Sequence, residues 1–138
     1  MAAKRAAYVL DSFAVLSVLQ AEPGAAQVRA VLSNAARRRA RVALCLVNYG
    51  EVVYIIEREQ GLTAAQTAIA AIDQLPIELV PADRALTLAA AHLKAQFSLA
   101  YADAFAAALA RLRGATLLTG DPEFQPLSHL VRLRWLAR

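Results

Sequence analysis

Short continuous apolar runs alternate with longer stretches whose apolar residues recur at helical spacing, which predicts an α/β architecture with a mostly parallel sheet. Residues 6–10 (AAYVL) predict a first strand buried on both faces, with Asp11 at its carboxyl end. Residues 12–20 predict a short helix with Phe13, Leu16 and Leu19 on one face. Pro23 and Gly24 break it, and residues 25–38 resume as a second helix carrying Val28, Val31 and Leu32. Residues 42–47 (VALCLV) predict the second strand, Asn48 a cap for a helix over 49–60, and Gly61 the end of that helix. A further helix opens at Thr63, carries Ile69, Ile72 and Leu75, and closes at Pro76. Residues 77–80 give a third strand, and Asp83 caps a helix through Lys94 with Leu86, Leu93 and Phe97 inward. The Ala-rich residues 101–113 form another helix, ended by Gly114; residues 115–118 (ATLL) form a fourth strand, followed by the turn TGDPEF at 119–124. Residues 130–135 alternate apolar with Arg as a short edge strand. No linker, repeat or low-complexity tract interrupts the series, so residues 1–138 read as one domain with a sheet of four to five strands flanked by helices.

Composition narrows the class. With 59% hydrophobic residues the chain is too apolar for disorder, and a single cysteine, Cys45, excludes an internal disulfide framework and a multi-Cys zinc site. The expected setting is reducing and cytoplasmic. Lys4 and Arg5 ahead of an apolar run imitate a secretory leader, but Asp11 falls where such a segment is uncharged. No uncharged apolar stretch reaches the roughly 18 residues of a membrane helix, so no membrane partner is expected.

Four acids stand at informative places. Asp11 follows the first strand at once, Glu51 lies in the first turn of the helix after the second, and Asp121 lies three residues past the fourth. In a parallel sheet these share one edge, where open α/β folds bind ligands. Asp103 joins them from the Ala-rich helix, among apolar neighbours that make a solvated face a poor account of it. Each acid alone reads as structural: Asp11 as a helix cap, Glu51 and Asp103 as complements to a helix dipole, Asp121 as a turn residue. Their convergence favours an acidic cluster with a function. Clustered carboxylates repel unless a cation neutralises them, and oxygen ligands without His or Cys point to Mg²⁺ or Mn²⁺. Metals so held activate water and stabilise charge developing on a phosphodiester. The net charge agrees with a polyanionic partner: it is +4, and with four acids gathered in one cleft the rest of the chain carries +8.

The segments DSFAVL at Asp11, NYGE from Asn48 to Glu51, AYADAFAAALA around Asp103 and TGDPEF around Asp121 together resemble the PIN domain, most of all the VapC-type toxin ribonucleases of bacterial toxin–antitoxin pairs. The resemblance runs from Tyr8 to about Phe124. It implies a central parallel sheet flanked by helices and a Mg²⁺- or Mn²⁺-dependent endoribonuclease acting on structured RNA such as tRNA or rRNA. It also implies a homodimer and a cognate antitoxin whose tail occupies the cleft. Carried over by position, Asp11 and Asp103 would ligate metal directly, and Glu51 and Asp121 would complete the site directly or through water. Ser12, Asn48 and Thr119 match polar positions that support the acids. Phe13 departs from the family, being bulkier than the small residue often found there.

Other candidates are less specific. Arg37, Arg38, Arg39 and Arg41 form a basic run at a helix end that suits RNA contact and a plain solvated end equally. Arg111, Arg113, Arg132, Arg134 and Arg138 could extend a phosphate-binding surface. His92 and His129 read as structural, Cys45 as a small core residue, and Trp135 and the tyrosines as core or dimer surface, with Tyr101 near the cleft. Glu123 stands close enough to Asp121 to be a fifth acid and is not assigned. A haloacid-dehalogenase-like phosphotransferase would need an acid where Phe13 stands, and a receiver domain a late Lys that the chain lacks. Two alternatives stay open: a PIN-fold nuclease outside a toxin–antitoxin pair, and a non-catalytic helix-rich interaction domain whose acids are caps.

Overall fold

The computed structural model describes residues 5–138. Their elements run β1 (Ala6–Leu10), α1 (Ser12–Leu19), α2 (Ala25–Ala36), β2 (Ala40–Cys45), α3 (Leu46–Gln60), α4 (Leu62–Asp73), β3 (Glu78–Val80), α5 (Arg84–Gln96), α6 (Tyr101–Arg113), β4 (Thr116–Thr119) and β5 (Arg132–Trp135). A short 3-10 helix, Pro122–Leu127, joins the last two strands. The strands form one sheet in the order β3-β2-β1-β4-β5, and every pairing is parallel. The chain is thus an α/β protein with a central five-stranded parallel sheet flanked by helices.

The period of two along each strand splits the core. Ala7 and Val9 of β1, Ala43 and Cys45 of β2 and Leu117 of β4 pack with residues of α5 and α6. Tyr8 and Leu10, Val42 and Leu44, and Leu118 pack with residues of α1 to α4. Helices therefore cover both faces, as a wholly parallel sheet requires. The Ala-rich sequence of α6 has a packing reason: Ala104, Ala106, Ala107, Ala108 and Ala110 are all buried, so the helix backbone can lie close against the sheet. Gly114, with φ of 60°, ends that helix in the left-handed conformation and turns the chain into β4. At the far edge, the Gln27 side chain accepts from Ala137 N at 2.9 Å and donates to the Trp135 carbonyl at 3.2 Å, pinning the end of β5 to α2.

Several boundaries differ from the sequence expectation. The second strand covers Ala40–Cys45, because Leu46 and Val47 already belong to α3. Asn48 is therefore not a helix cap; Cys45 holds that position without a side-chain bond, and Asn48 sits inside the first turn. Glu51 moves to the second turn of α3 for the same reason. The helix expected from Thr63 begins at Leu62, the fourth strand is shifted to Thr116–Thr119, and the expected turn after it winds into the 3-10 helix. In α1 the buried residues are the small Ser12, Ala14, Val15 and Ser17, while Phe13, Leu16 and Leu19 are only half-buried. No helix among the described residues is long and apolar enough to cross a membrane.

Candidate metal centre

The strand order reverses between β1 and β4, and a crevice opens beyond the carboxyl ends of strands at such a point. Asp11 is the residue after β1 and is 1% exposed. Its extended backbone makes it the N-cap of α1, with Oδ1 accepting from Ala14 N at 2.8 Å. Thr119, the last residue of β4, is fully buried and neighbours two acids. Its hydroxyl accepts from Asp121 N at 3.0 Å and favours the charged form of the neighbouring Asp11 carboxyl. Asp121 in turn caps the 3-10 helix, its Oδ1 accepting from Glu123 N at 2.9 Å. The helices behind the sheet supply the rest: α6 carries Asp103 in its first turn, and α3 carries Glu51.

Asp103, Asp121 and Glu123 each bring a carboxylate oxygen to within 4.8 Å of the others. Asp11 stands just outside this tightest set but within range of the charges of Asp103 and Asp121, and Glu51 acts likewise on Asp103. Of the four acids singled out in the sequence, Asp103 and Asp121 thus meet in this set with Glu123, and Asp11 and Glu51 act on it through their charges. The signal for Glu123 lies in the segment Asp-Pro-Glu. An Asp that caps a helix opened by Pro fixes the next residue's N–H on its own side chain, which holds Glu123 beside the cluster.

Burial and repulsion leave Asp11 and Asp103 reluctant to ionise. The Asp11 carboxyl is raised from 3.8 to about 7, first by desolvation and also by Asp103 and Asp121, against the bonds from Thr119 and Ala14 that favour its charged form. Asp103 is raised to about 7 by desolvation, then by Asp121, Glu51 and Glu123. A divalent cation removes both penalties at once, since it supplies the opposite charge and the coordination that water provided. The donor set is oxygen only and closely spaced, which fits Mg²⁺ or Mn²⁺ and not a His- or Cys-bound zinc.

Ser12 and Asn48 stand behind the acids. Asn48 is fully buried; its Nδ2 donates to the Ala102 carbonyl at 3.0 Å, next to Asp103, and contacts Ser12 Oγ at 3.5 Å. The Ser12 hydroxyl donates to the Asn48 carbonyl at 3.3 Å. One side chain therefore links α3 to α1 and α6, while its own Oδ1 is buried without a partner. Phe13 fills the space over Gly120, where any Cβ would overlap its ring, so the bulky residue beside Asp11 is matched by an absent one beside Asp121.

The remaining candidates lie elsewhere. Arg37, Arg38, Arg39 and Arg41 are exposed around the amino end of β2, on the sheet edge opposite the acids. His92 is exposed, His129 tilts against Phe97 with ring centres 6.2 Å apart, Cys45 is buried, and Trp135 is exposed on β5. Tyr101 stands edge-on to Phe105, two residues before Asp103.

The sequence model of the PIN domain matches residues 8–130. None of the curated proteins matches the chain. Among solved structures, the chain resembles VapBC2 from Rickettsia felis, bound to a DNA fragment from its promoter (TM-score 0.77, 16% identity, covering 95% of this chain and 99% of that one). It also resembles DNA-bound VapBC from Salmonella typhimurium (0.75, 16%, 94% and 97%). A third similar structure is VapC20 from Mycobacterium tuberculosis, a toxin that cleaves the sarcin-ricin loop (0.73, 18%, 92% and 98%).

Proposed function

The chain belongs to the PIN domain family, and from that premise we propose that it is a Mg²⁺- or Mn²⁺-dependent endoribonuclease and the toxin of a VapBC-type toxin–antitoxin pair. The observation that carries the nuclease reading is the convergence of Asp11, Asp103, Asp121 and Glu123 on the crevice at the strand reversal, with two of the carboxyls raised to about 7. Asp103, Asp121 and Glu123 would hold the cation, with Asp11 and Glu51 completing the site directly or through water. When bound, the cation supplies activation of water and neutralisation of the charge that develops on the phosphodiester.

The chain's own groups prepare that site. Thr119 fixes the backbone of Asp121 through its hydroxyl and favours the charged form of Asp11, and Asn48 holds the Ala102 carbonyl and with it the start of α6 that presents Asp103. Such shells of buried hydrogen bonds keep ligand oxygens from collapsing apart when the cation leaves.

The toxin assignment draws on the fold shared with VapBC complexes, which also supports a cognate antitoxin as partner. Cleavage of the sarcin-ricin loop by the similar VapC20 supports structured RNA as the substrate class. A homodimer has material to form from: Leu46 and Tyr54 of α3 and Leu62 of α4 are exposed. A cytoplasmic setting accords with the one free, buried cysteine.

The test is incubation of the purified protein with total cellular RNA in Mg²⁺, Mn²⁺ or EDTA, with Asp11→Asn and Asp103→Asn alongside. Discrete metal-dependent fragments ending in a 5′-phosphate and a 3′-hydroxyl are expected, and neither variant should produce them while both keep their fold. A fully active Asp11→Asn protein would remove the site assignment. Fragments ending in a 2′,3′-cyclic phosphate would make the RNA's own 2′-hydroxyl the nucleophile and overturn the hydrolytic mechanism.

A further inference from the structure

Because every strand runs the same way, the amino ends share the edge opposite the carboxylates. A cleft of about 560 Å³ opens there. Small side chains line it: Ala7 of β1, Ala43 of β2, and Ala115 just before β4. Its walls are charged: Arg5, Arg41, Arg113 and Glu78. Arg113 donates both Nη1 and Nη2 to Glu78, at 2.7 and 2.8 Å, so this pair is internally neutral. The Glu78 carboxyl is held below its ordinary value, first by that bond and also by the nearby charge of Arg41. Among the described residues, neither Arg5 nor Arg41 has a hydrogen-bond or ion-pair partner. Two guanidinium groups with no direct partner among the described residues therefore line a cavity.

The same edge gathers further cations. Arg132, the first residue of β5, is fixed by an Nη2 bond to the Gly114 carbonyl at 2.7 Å. Arg37, Arg38 and Arg39 lie in the turn that enters β2. That turn is a Schellman motif, with Arg39 N bonding Asn34 O at 2.8 Å and Arg38 N bonding Ala35 O at 3.0 Å. Its left-handed position, φ of 60°, is held by Arg38 where glycine is the favoured residue. The turn thus presents a further exposed cation on this edge.

We infer that this amino-end cleft, walled by Arg5 and Arg41, is an exosite that binds the phosphodiester backbone of RNA. The inference rests on the endoribonuclease reading for the identity of the polyanion. A planar guanidinium presents its N–H groups as a fork that matches phosphate oxygens, and cations spread over three strand ends suit a repeating phosphate better than a single carboxylate. The two edges are separated by the length of β1, roughly 16 Å, about five stacked nucleotide steps. A structured RNA can therefore reach both the exosite and the carboxylates.

The test measures binding without cleavage, as anisotropy of a labelled single-stranded RNA in EDTA over a salt series from about 50 mM to about 1 M. Wild type is compared with Arg5→Gln/Arg41→Gln and Arg5→Lys/Arg41→Lys, and thermal melts confirm that each is folded. Each phosphate contact on a single strand contributes about 0.7 to the slope of log affinity against log salt. The Gln pair should be shallower by about 1.4, which is about a 60-fold loss of affinity at about 50 mM if the curves converge near 1 M. The Lys pair should keep most of the slope. A Gln pair with wild-type slope and affinity overturns the exosite. So does arginine-dependent binding of polyglutamate with no binding of RNA, which would make the cleft a surface for an acidic protein. Wild-type cleavage in Mn²⁺ is read separately: cleavage with an unaffected Gln pair removes the exosite alone, and arginine-dependent binding without cleavage removes the nuclease reading alone.

Discussion

Asp11 and Asp103 sit in the folded protein with carboxyls raised to about 7, whereas in the unfolded chain both titrate near 3.8. Between those limits the native state holds protons that the unfolded state has released, so stability falls as pH rises and the contribution is lost once the pH passes about 7. Raising the pH from about 5 to about 8 in EDTA crosses roughly two units of that window. At about 1.4 kcal/mol per unit, Asp11 alone accounts for a loss of about 3 kcal/mol. Asp103 adds less, because it is more exposed and because a proton on either acid relieves the other. For a domain of this size the melting temperature should drop by roughly 10 °C. The assay is urea or thermal denaturation at stepped pH in EDTA, repeated with Mn²⁺. The cation should restore stability at about pH 8, where the cluster is ionised, and much less at about pH 5, where it must displace protons. Asp11→Asn, which keeps a capping side chain, should flatten the EDTA profile. A profile that is flat or rises with pH in the wild-type protein would refute the argument that burial and repulsion hold these protons.

Two further predictions test local packing. Gly120→Ala should cost about 1–3 kcal/mol, because the new methyl overlaps the Phe13 ring; the cost should shrink in a Phe13→Ala background, and an undiminished cost there would deny that the ring is the obstacle. Arg38→Gly should raise stability by about 1 kcal/mol in urea denaturation by removing a side chain from a left-handed position, and no gain would mean that the position carries no backbone strain.

The sequence patterns located the elements well and their boundaries less well, for identifiable reasons. The run VALCLV is apolar throughout, and such a run does not mark where a buried strand gives way to a buried helix. The strand ends at Cys45, and Leu46 and Val47 begin α3. That displacement changes the role of Asn48, from a cap on its own helix to a side chain bonding the Ala102 carbonyl on α6, a contact 54 residues away that no local spacing encodes. Asp11 was legible both as a cap and as a candidate for an acidic cluster: the cap bond to Ala14 is present, and the charges of Asp103 and Asp121 act on its carboxyl from outside the closest carboxylate set. Glu123 was written in the segment TGDPEF, but its place depends on the 3-10 helix, whose short repeat brings it to Asp121 and Asp103. Thr119 shows a further limit, since its nearness to both Asp121 and Asp11 is recognisable only once β1 and β4 are paired in space.

Charge order along the chain carries more than its total suggests. In a wholly parallel sheet, a residue just before a strand goes to one edge and a residue just after it to the other, whatever the strand. Here Arg5 precedes β1 and Asp11 follows it; Arg37, Arg38 and Arg39 precede β2; Arg113 precedes β4 and Asp121 follows it; and Arg132 opens β5. The sorting is not complete: Arg84 follows β3, Arg138 follows β5, and Glu78 opens β3, where Arg113 neutralises it. The fold therefore acts as a sorter that turns an alternation of sign in sequence into an acidic edge and a basic one. Reversing any one strand would mix the two, so the separation depends on topology as much as on composition. A net charge of +4 conceals it, because a total over the whole chain does not show that Asp11, Asp103, Asp121 and Glu123 stand at one edge and Arg5, Arg37, Arg38, Arg39 and Arg132 at the other.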